Sequence, residues 1–370
     1  MVRAGPVPIA GAAATAMSDA SNIPAFRVTL DGRDLTDAVA PRLIQLSITE
    51  KRGGEADELE LVLHDHDGAM AIPKKGARLQ VSLGYTKAAE GEGISAGMVD
   101  KGTFKVDERE WGGPPDLITI KGRSADLTGG YRQRRERSHR NTTIGAIVRR
   151  VAAAQGLTPH VAPELASIEV PVLAQDQVSD MALIRRLGRR HDAVAQVKRG
   201  RLIFAPIAAG VTASGRAIPA AALTKRDGDK YSYRDADRGQ YGAVEARHHD
   251  QAGARRRTVR VGADGTDQPE SAGSADAGGR DRGVRRIRRV FHNEADARHA
   301  ARSEARRMSR GSAEFTYTLA LGRPDLYPER PISLSGFKPE IDAKKWLIAE
   351  CSHSFTPSEG LKTELKLETR

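Results

Sequence analysis

The chain has few of the residues that cross-link or anchor a protein. Its 370 residues include one cysteine, Cys351, so an internal disulfide is impossible and a disulfide-stapled secreted fold is excluded. Aromatic residues make up 4% of the chain, so its cores must rest on Val, Leu, Ile and Ala. No uninterrupted apolar run reaches the ~18 residues that a membrane-spanning helix needs, and no membrane span is predicted.

Catalytic sequence patterns are also scarce. The chain has no H-E-x-x-H metal site, no P-loop and no G-x-G-x-x-G turn, and we predict no serine-nucleophile elbow. Glu50, Glu55, Glu58 and Glu60 lie close together, but no pair of them stands out for acid–base work. We therefore expect a protein that is not an enzyme, with no catalytic, cofactor-binding or metal-binding residues and no cofactor.

Positive charge is abundant, with a net charge of +11. Such an excess is compatible with an acidic partner or with an Arg-rich surface in solvent, and its scattered placement favours the second interpretation. The densest runs are residues 132–140, predicted to form a loop, and 285–289, predicted to be an exposed strand face. Neither run has the aromatic residues on which nucleic-acid bases stack, so an acidic protein partner or plain solvation is preferred to nucleic acid.

Three polar clusters could carry chemistry, and each has a plainer structural interpretation. His64 to Asp67 has metal-ligand chemistry, but no third ligand is identifiable and Asp-rich turns with Gly68 are ordinary. His248, His249 and Asp250 are weaker, because adjacent side chains in a strand point to opposite faces. Cys351 and His353 share a strand face, but a reactive thiol needs a basic environment. None of the three is predicted to be a site.

Two distant stretches of the sequence read as the same β unit. The first runs from Leu59 to Gly122 and the second from Phe315 to Glu368. Each has an alternating strand, a Pro-containing loop, a second strand, then a strand through Phe104 or Trp346 and a closing alternating strand. A duplicated β unit without catalytic residues indicates a protein that makes contacts within a larger assembly.

The predicted fold is mainly β with an α+β insert. We expect a disordered extension over 1–23, in which Met17 could be the start, and a first tube-like barrel or sandwich over 24–130. A smaller α+β domain is expected over 131–210. Its helices are predicted to begin at Thr142 or Thr143 and at about Ser179. A second tube-like barrel is expected over 211–370, with a flexible loop at 262–283 and a helix that follows Asn293.

The ordered set of these segments resembles the phage late control protein D family. The resemblance lies in "VTLDGRDLTDAVAPRLIQLSITEKRGGEADELELVLHD", "IPKKGARLQVSLGY", "GTFKVDEREWGGPPDLITIKGRSADL", "SDMALIRRLGRRHDAVAQVKRGRLIF" and the C-terminal "LGRPDLYPERPISLSGFKPEIDAKKWLIAECSHSFTPSEGLKTELKLE". It covers about 25–210 and 285–370. The 262–283 loop and the N-terminal extension depart from the family pattern.

The resemblance implies a structural baseplate hub of a contractile phage tail or tail-like particle, similar to the N-terminal part of type VI secretion spike proteins. Such hubs are typically homotrimers with two barrels per chain that imitate two tube subunits, so that a threefold spike can meet a sixfold tube. The implied partners are a separate spike protein, the tail tube protein and other baseplate proteins, and DNA would pass through the lumen. The implied location is the virion tail baseplate, after synthesis in the bacterial host cytoplasm.

Two other functions remain open from the residues alone. A peptidoglycan-degrading baseplate enzyme would need a catalytic carboxylate in a cleft. A nucleic-acid-binding late-gene regulator would need a basic stripe and a recognition helix, and no helix of the sequence fits that role.

Overall fold

The computed structural model describes residues 22–53, 55–89, 91–124, 133–212, 215–235, 241–250, 253–269 and 283–370. The described chain is mainly β, as predicted, and it has four separate hydrophobic cores. The predicted N-terminal extension lies outside the described residues up to position 21, and the predicted 262–283 loop does so from 270 to 282.

The first β unit is an antiparallel sheet around a core of Leu, Ile and Val side chains. Its strands alternate buried and exposed residues, as the sequence predicts for a sheet with one face against a core. Asp31 and Gly32 have positive φ angles and form the predicted tight turn between the first two strands. The elements are β1 Ile23–Leu30, β2 Arg33–Asp34, α1 Thr36–Val39, β3 Leu43–Lys51, β4 Glu58–His64, β5 Arg78–Lys87, β6 Gly97–Gly112 and β7 Leu117–Arg123.

The second β unit has its own core, in which several aromatic residues cluster. Phe315, Tyr317, Phe337 and Trp346 contact one another with ring centroids 5.1–5.9 Å apart. Trp346 is fully buried, and its Nε1 donates to the Ile341 carbonyl at 3.0 Å. The elements are β13 Ala221–Thr224, β14 Gly228–Asp235, β19 Ala313–Leu319, β20 Pro331–Ser335, α6 Pro339–Asp342, β21 Trp346–Thr356 and β22 Gly360–Thr369.

The two units repeat one strand order. The first is ordered β3-β4-β7-β6-β5-β1 and the second β14-β19-β22-β21-β20-β13, so each strand of one unit has a counterpart in the other. The two units differ at one end, where β1 is antiparallel to β5 but β13 is parallel to β20. This topology agrees with the duplication seen in the sequence, since Leu59 and Phe315 lie in the counterpart strands β4 and β19.

β-Bulges fall at the same ladder positions in both units. β6 has a register shift between Val106 and Glu108 against β7, and β21 has one between Ile348 and Glu350 against β22. Directly after the bulge each unit places one ion pair, Glu108–Lys121 at 2.9 Å in the first and Glu350–Lys366 at 2.6 Å in the second. The edge strands also match, with shifts at Leu43/Gln45 in β3 and at Gly228/Lys230 in β14. The bulges therefore align the two units residue by residue.

An α+β unit is inserted between the two β units. Its helices begin where the sequence predicts, because the Thr143 hydroxyl accepts from the Ala146 amide and the Ser179 hydroxyl from the Ala182 amide, both at 3.2 Å. Lys198, Arg199 and Gly200 form the predicted hairpin turn. The elements are β8 Arg134–Thr143, α2 Ile144–Ala154, β9 Thr158–Val161, α3 Pro163–Ala166, β10 Glu169–Ser179, α4 Asp180–His191, β11 Ala193–Lys198 and β12 Arg201–Pro206.

The prediction of a loop over 132–140 is wrong for the described part of that run. Residues 134–143 form β8, which pairs antiparallel with β10. His139 is buried in this strand, between the Gln175 side chain and the Arg150 guanidinium. Arginines can occupy a strand whose outward face is in solvent, and tertiary pairing here decides the conformation against a composition typical of a loop.

A further α/β unit lies within the second β unit, between β14 and β19. Four strands, β15 Ala243–Asp250, β16 Arg255–Gly262, β17 Asp267–Gln268 and β18 Val284–Phe291, form a separate sheet covered by α5 Glu294–Arg310. Alanines of α5 pack on this sheet and make a core of their own. The sequence indicates β15, β16, β18 and the Asn293 cap, which the structure confirms. It does not indicate β17, which lies within the predicted 262–283 loop and pairs with β16, nor that the four strands form a sheet apart from the barrel.

Candidate assembly surfaces

The two β units are joined edge to edge into one 13-stranded sheet. The first residues of β21 pair with β20, and from Glu350 to Phe355 the same strand edge pairs instead with β3. Antiparallel pairs in this junction run from Glu350 opposite Lys51 to Phe355 opposite Leu46. Each unit therefore satisfies the backbone groups of the other's edge strand, and no residue of the paired stretches is exposed.

A buried charged cluster lies at this junction and contacts three units of the chain. The Glu50 carboxylate of β3 is 2.7 Å from Nζ of Lys198 in the α+β unit and forms an ion pair with Lys101 of β6. His353 of β21 contacts both Glu50 and Lys101, with its Nε2 3.0 Å from the Lys101 Nζ. A neutral His353 with its proton on Nδ1 accepts from Lys101 and donates to the Thr363 hydroxyl at 2.9 Å.

Burial and charge compete in setting the ionisation of this cluster. Burial disfavours the charged form of Glu50, yet the charges of Lys101 and Lys198 hold its pKa below the usual range. Burial, reinforced by Lys101, lowers the pKa of His353 to about 4. Burial also lowers the pKa of His191, in α4, to about 3. The cluster is thus built for an ionised Glu50 and a neutral His353.

The thermal stability of the protein is expected to fall as the pH is lowered from about 6.5 towards 4. His353 and His191 have folded pKa values below the ordinary value of 6.5, so the unfolded chain binds more protons in this range and protonation favours unfolding. Each group removes up to about 1.4 kcal/mol per pH unit. Differential scanning calorimetry between pH 4 and 8 measures this slope. His353→Gln should flatten it and the exposed-site control His64→Gln should not, and equal slopes in all three proteins would contradict the assignment.

A second charged cluster attaches α5 to the rest of the chain. The Arg310 guanidinium forms a two-pronged ion pair with Asp192, with Nη1 2.7 Å from Oδ2, and its Nε lies 3.1 Å from Glu368 of β22. Glu368 also pairs with Arg52, which pairs in turn with Glu329. Ion pairs of largely buried charges therefore attach the α/β unit to the end of α4 and to the second β unit. The contribution of such ion pairs to stability depends strongly on their geometry.

Counterpart edges of the two β units remain unpaired within the described residues. Beyond Val106, which bonds to Gly76 and Ala77, β6 pairs with β7 on one side only, and its residues from Asp107 to Gly112 are exposed. Across the described chain β14 pairs only with β19, and most of its residues are exposed. Trp111 and Tyr231 on these strands are 56% and 49% exposed. Exposed aromatic residues beside open strand edges are typical of protein interfaces.

The residues from His64 to Asp67 make contacts with nearby parts of the chain. Asp65 is buried and accepts from the Met70 amide at 3.0 Å, while Asp67 pairs with Arg42. His64 and His66 are exposed. Within the described ranges no group of three or more His, Cys, Asp or Glu side chains could hold a metal ion. The run from His64 to Asp67 therefore shapes the turn that follows β4.

Cys351 and His353 do face each other, with the Sγ 3.3 Å from Nε2. Cys351 is fully buried, and burial raises its pKa, so its thiol stays protonated. In β15, His248 is buried and His249 is exposed, while Asp250 pairs with Arg257 at 2.9 Å. Their side chains therefore do not converge on one site.

Residues 93–97 spell Gly-Ile-Ser-Ala-Gly, which matches the G-x-S-x-G pattern. A nucleophile elbow requires a sharp turn from a strand into a helix. This segment instead ends in the first residue of β6 and lies in the connection between β5 and β6. Ser95 is exposed there, in a loop between two antiparallel strands. The match is therefore not an elbow.

Four of the eight described arginines in the two basic runs have acidic partners within the chain. Arg135 lies 3.3 Å from the buried Asp180, Arg285 lies 3.4 Å from Glu304, and Arg286 lies 3.1 Å from Glu245. Ion pairs between strands and neighbouring elements thus account for much of the charge in these runs. In the part of the chain that the structure describes, no helix is long and apolar enough to cross a membrane.

The chain is similar to known proteins in sequence and in fold. The family model described as "Phage tail baseplate hub (GPD)" matches residues 56–359. The "Probable baseplate hub protein" of Escherichia phage 186 is 37% identical to the chain, and that of Escherichia phage P2 is 36% identical; each match covers 94% of this chain and 93% of the relative. The tail protein from Neisseria meningitidis MC58 has the same fold, with a TM-score of 0.63 at 12% identity over 94% of this chain and 96% of that one. The chain therefore belongs to the phage tail baseplate hub family.

Proposed function

We propose that this baseplate hub protein works as a homotrimer whose six β units adapt a threefold spike to a sixfold tail tube. The observation that carries the proposal is the repeat itself, two units with one strand order and bulges at the same positions. Three chains with two such units present six near-equivalent positions around an axis. Because the two units of each chain are similar but not identical, such a ring is nearly sixfold towards the tube and threefold towards the spike.

The division of labour along the chain follows from this proposal. The two β units, expected over 24–130 and 211–370, form the ring that docks on the tube. The α+β domain over 131–210 and the α/β unit within the second barrel lie outside the repeat and provide contacts to the spike and to other baseplate proteins. DNA passes through the lumen of the ring, and the protein reaches the virion tail after synthesis in the host cytoplasm. Its role is structural rather than catalytic.

The mass of the purified protein tests the trimer. Multi-angle light scattering is expected to give three times the monomer mass, either alone or after addition of the neighbouring spike protein. A stable monomer that ignores the spike would refute the proposal. Zymography on peptidoglycan and a salt-titrated DNA gel shift measure the enzyme and regulator alternatives, and both are expected to be negative.

A further inference from the structure

The chain forms a strand junction between its own two β units. There, the outer edge of β21 in the second unit pairs with the edge strand β3 of the first. The counterpart of β21 in the first unit is β6, and the counterpart of β3 in the second unit is β14. The corresponding edges of β6 and β14 are both exposed and unpaired among the described residues. A second junction of the same kind can form only between two chains.

We infer that β6 of one chain pairs antiparallel with β14 of a second copy, in the register of the internal junction. This deepens the proposed trimer and rests on it, since a head-to-tail contact of this kind closes into a ring. In such a ring, internal junctions alternate with junctions between chains. The occupant of the β6 edge is thus the β14 edge of another copy of this chain.

The positions of the bulges alone fix the register in which β6 and β14 would pair. Counting from the bulge, Glu108 in β6 corresponds to Glu350 in β21, and Arg109 to Cys351. Counting from the other bulge, Lys230 in β14 corresponds to Gln45 in β3, and Asp235 to Glu50. The internal pairs Cys351–Glu50, Ser352–Thr49 and His353–Ile48 then translate into three pairs between chains. These are Arg109 opposite Asp235, Glu110 opposite Arg234, and Trp111 opposite Tyr233.

The chemistry of these three pairs is complementary, although the register was fixed by backbone geometry alone. Two of the pairs join opposite charges, with the arginine on β6 in one pair and on β14 in the other. The third pair joins two aromatic residues. Directly opposed residues in an antiparallel pair share one face, where such combinations are favourable and like charges are unfavourable. A shift of the register by two residues would place Arg109 opposite Tyr233 and Trp111 opposite Tyr231, and would lose the charge matching.

The difference in burial between the two sets of counterpart residues also supports pairing between chains. At the internal junction, Cys351, His353, Ile48 and Glu50 are buried. At the counterpart positions, Trp111 is 56% exposed and Arg109 and Asp235 are also exposed. Pairing would cover Trp111, a residue type that dominates the energetics of interfaces, and would place the Arg109–Asp235 pair where Glu50 and its partners lie in the internal junction.

A designed disulfide tests the register directly. Glu110→Cys combined with Arg234→Cys places two thiols directly opposite, within the 4.4–6.8 Å Cα separation that a disulfide needs. Under mild oxidation of the full chain, assembled with the spike if the spike is needed, we expect covalent dimers and trimers on a non-reducing gel. The control Glu110→Cys with Ser232→Cys is offset by two residues and should give none. The buried native Cys351 does not compete.

Charge reversal gives an independent test. Arg109→Glu and Asp235→Arg are each expected to weaken self-association by about tenfold or more at low salt, and the two together should restore it. Arg109→Glu with Arg234→Glu, which places like charges opposite at both positions, should remain weak. Circular dichroism of the variants should be unchanged, because all these positions are exposed in the single chain.

The outcomes separate this inference from the proposed function. If the wild-type mass is trimeric but the offset cysteines cross-link as well as the opposed ones, or the paired charge reversal restores nothing, the register is wrong and the trimer stands. If the chain stays monomeric alone and with the spike, the proposed function fails and the inference fails with it.

Discussion

Replacing Glu50 by leucine is expected to lower the free energy of unfolding by about 3–5 kcal/mol, because it leaves the buried ammonium group of Lys101 and the half-buried one of Lys198 without their shared partner. The Glu50 carboxylate is buried at the point where both β units and the α+β unit meet. The loss should appear as a lower urea midpoint measured by far-ultraviolet circular dichroism. Because the cluster joins three units, the same variant should also lose cooperativity and become more sensitive to proteases.

Two controls make this expectation specific. Glu58→Leu makes the same chemical change on the neighbouring strand β4, at an exposed carboxylate, and should shift stability by no more than about 0.5 kcal/mol. The triple variant Glu50→Leu, Lys101→Met and Lys198→Met removes the stranded charges as well and should recover much of the loss. If Glu50→Leu and Glu58→Leu behave alike, the cluster does not stabilise the junction.

Truncation of the two tryptophans should affect different properties, stability for Trp346 and self-association for Trp111. Trp346→Ala is expected to cost about 3–5 kcal/mol, because it opens a cavity in the aromatic core of the second unit. Its loss also removes the hydrogen bond that Trp346 Nε1 donates to the Ile341 carbonyl. Urea titration followed by fluorescence of the remaining Trp111, together with circular dichroism, measures the change and shows whether the first unit unfolds separately.

Trp111→Ala is the matched variant. Trp111 is largely exposed in the single chain and donates one hydrogen bond to Asp65, so its removal should change monomer stability by less than about 1 kcal/mol. It should instead weaken self-association, since the side chain lies at the proposed contact between chains. A Trp111→Ala protein as unstable as Trp346→Ala would mean that this residue belongs to the core and not to an interface.

Local patterns in the sequence were sufficient for most of the secondary structure. The helix caps at Thr143, Ser179 and Asn293 are hydrogen bonds over three residues, and such short-range signals are readable from the chain alone. Strand alternation and Pro or Gly turns likewise located the repeated units. β8 was missed because its arginines face solvent or Asp180, and the partner strand β10 that holds it lies 26 residues further on.

The junction could not be predicted in the same way. Lys198 and His353 are separated from Glu50 by 148 and by about 300 positions, and no local spacing reports such contacts. The sequence did place Cys351 and His353 on one strand face, which is correct, but not the lysine and the glutamate that meet them. The sequence also could not predict the separate sheet of β15 to β18, because that sheet depends on which strands pair and not on which strands exist.

The matching bulges also bear on the origin of the chain. A bulge is a single extra residue at one rung of a ladder, and its position is otherwise free to vary. Two unrelated halves would have to acquire the same two irregularities at the same two rungs. The simpler history is one ancestral gene for a six-stranded subunit that already had both bulges. Tandem fusion of that gene then allowed the two copies to diverge, so that one could accept the α/β unit between β14 and β19 while the other kept a short turn between β3 and β4.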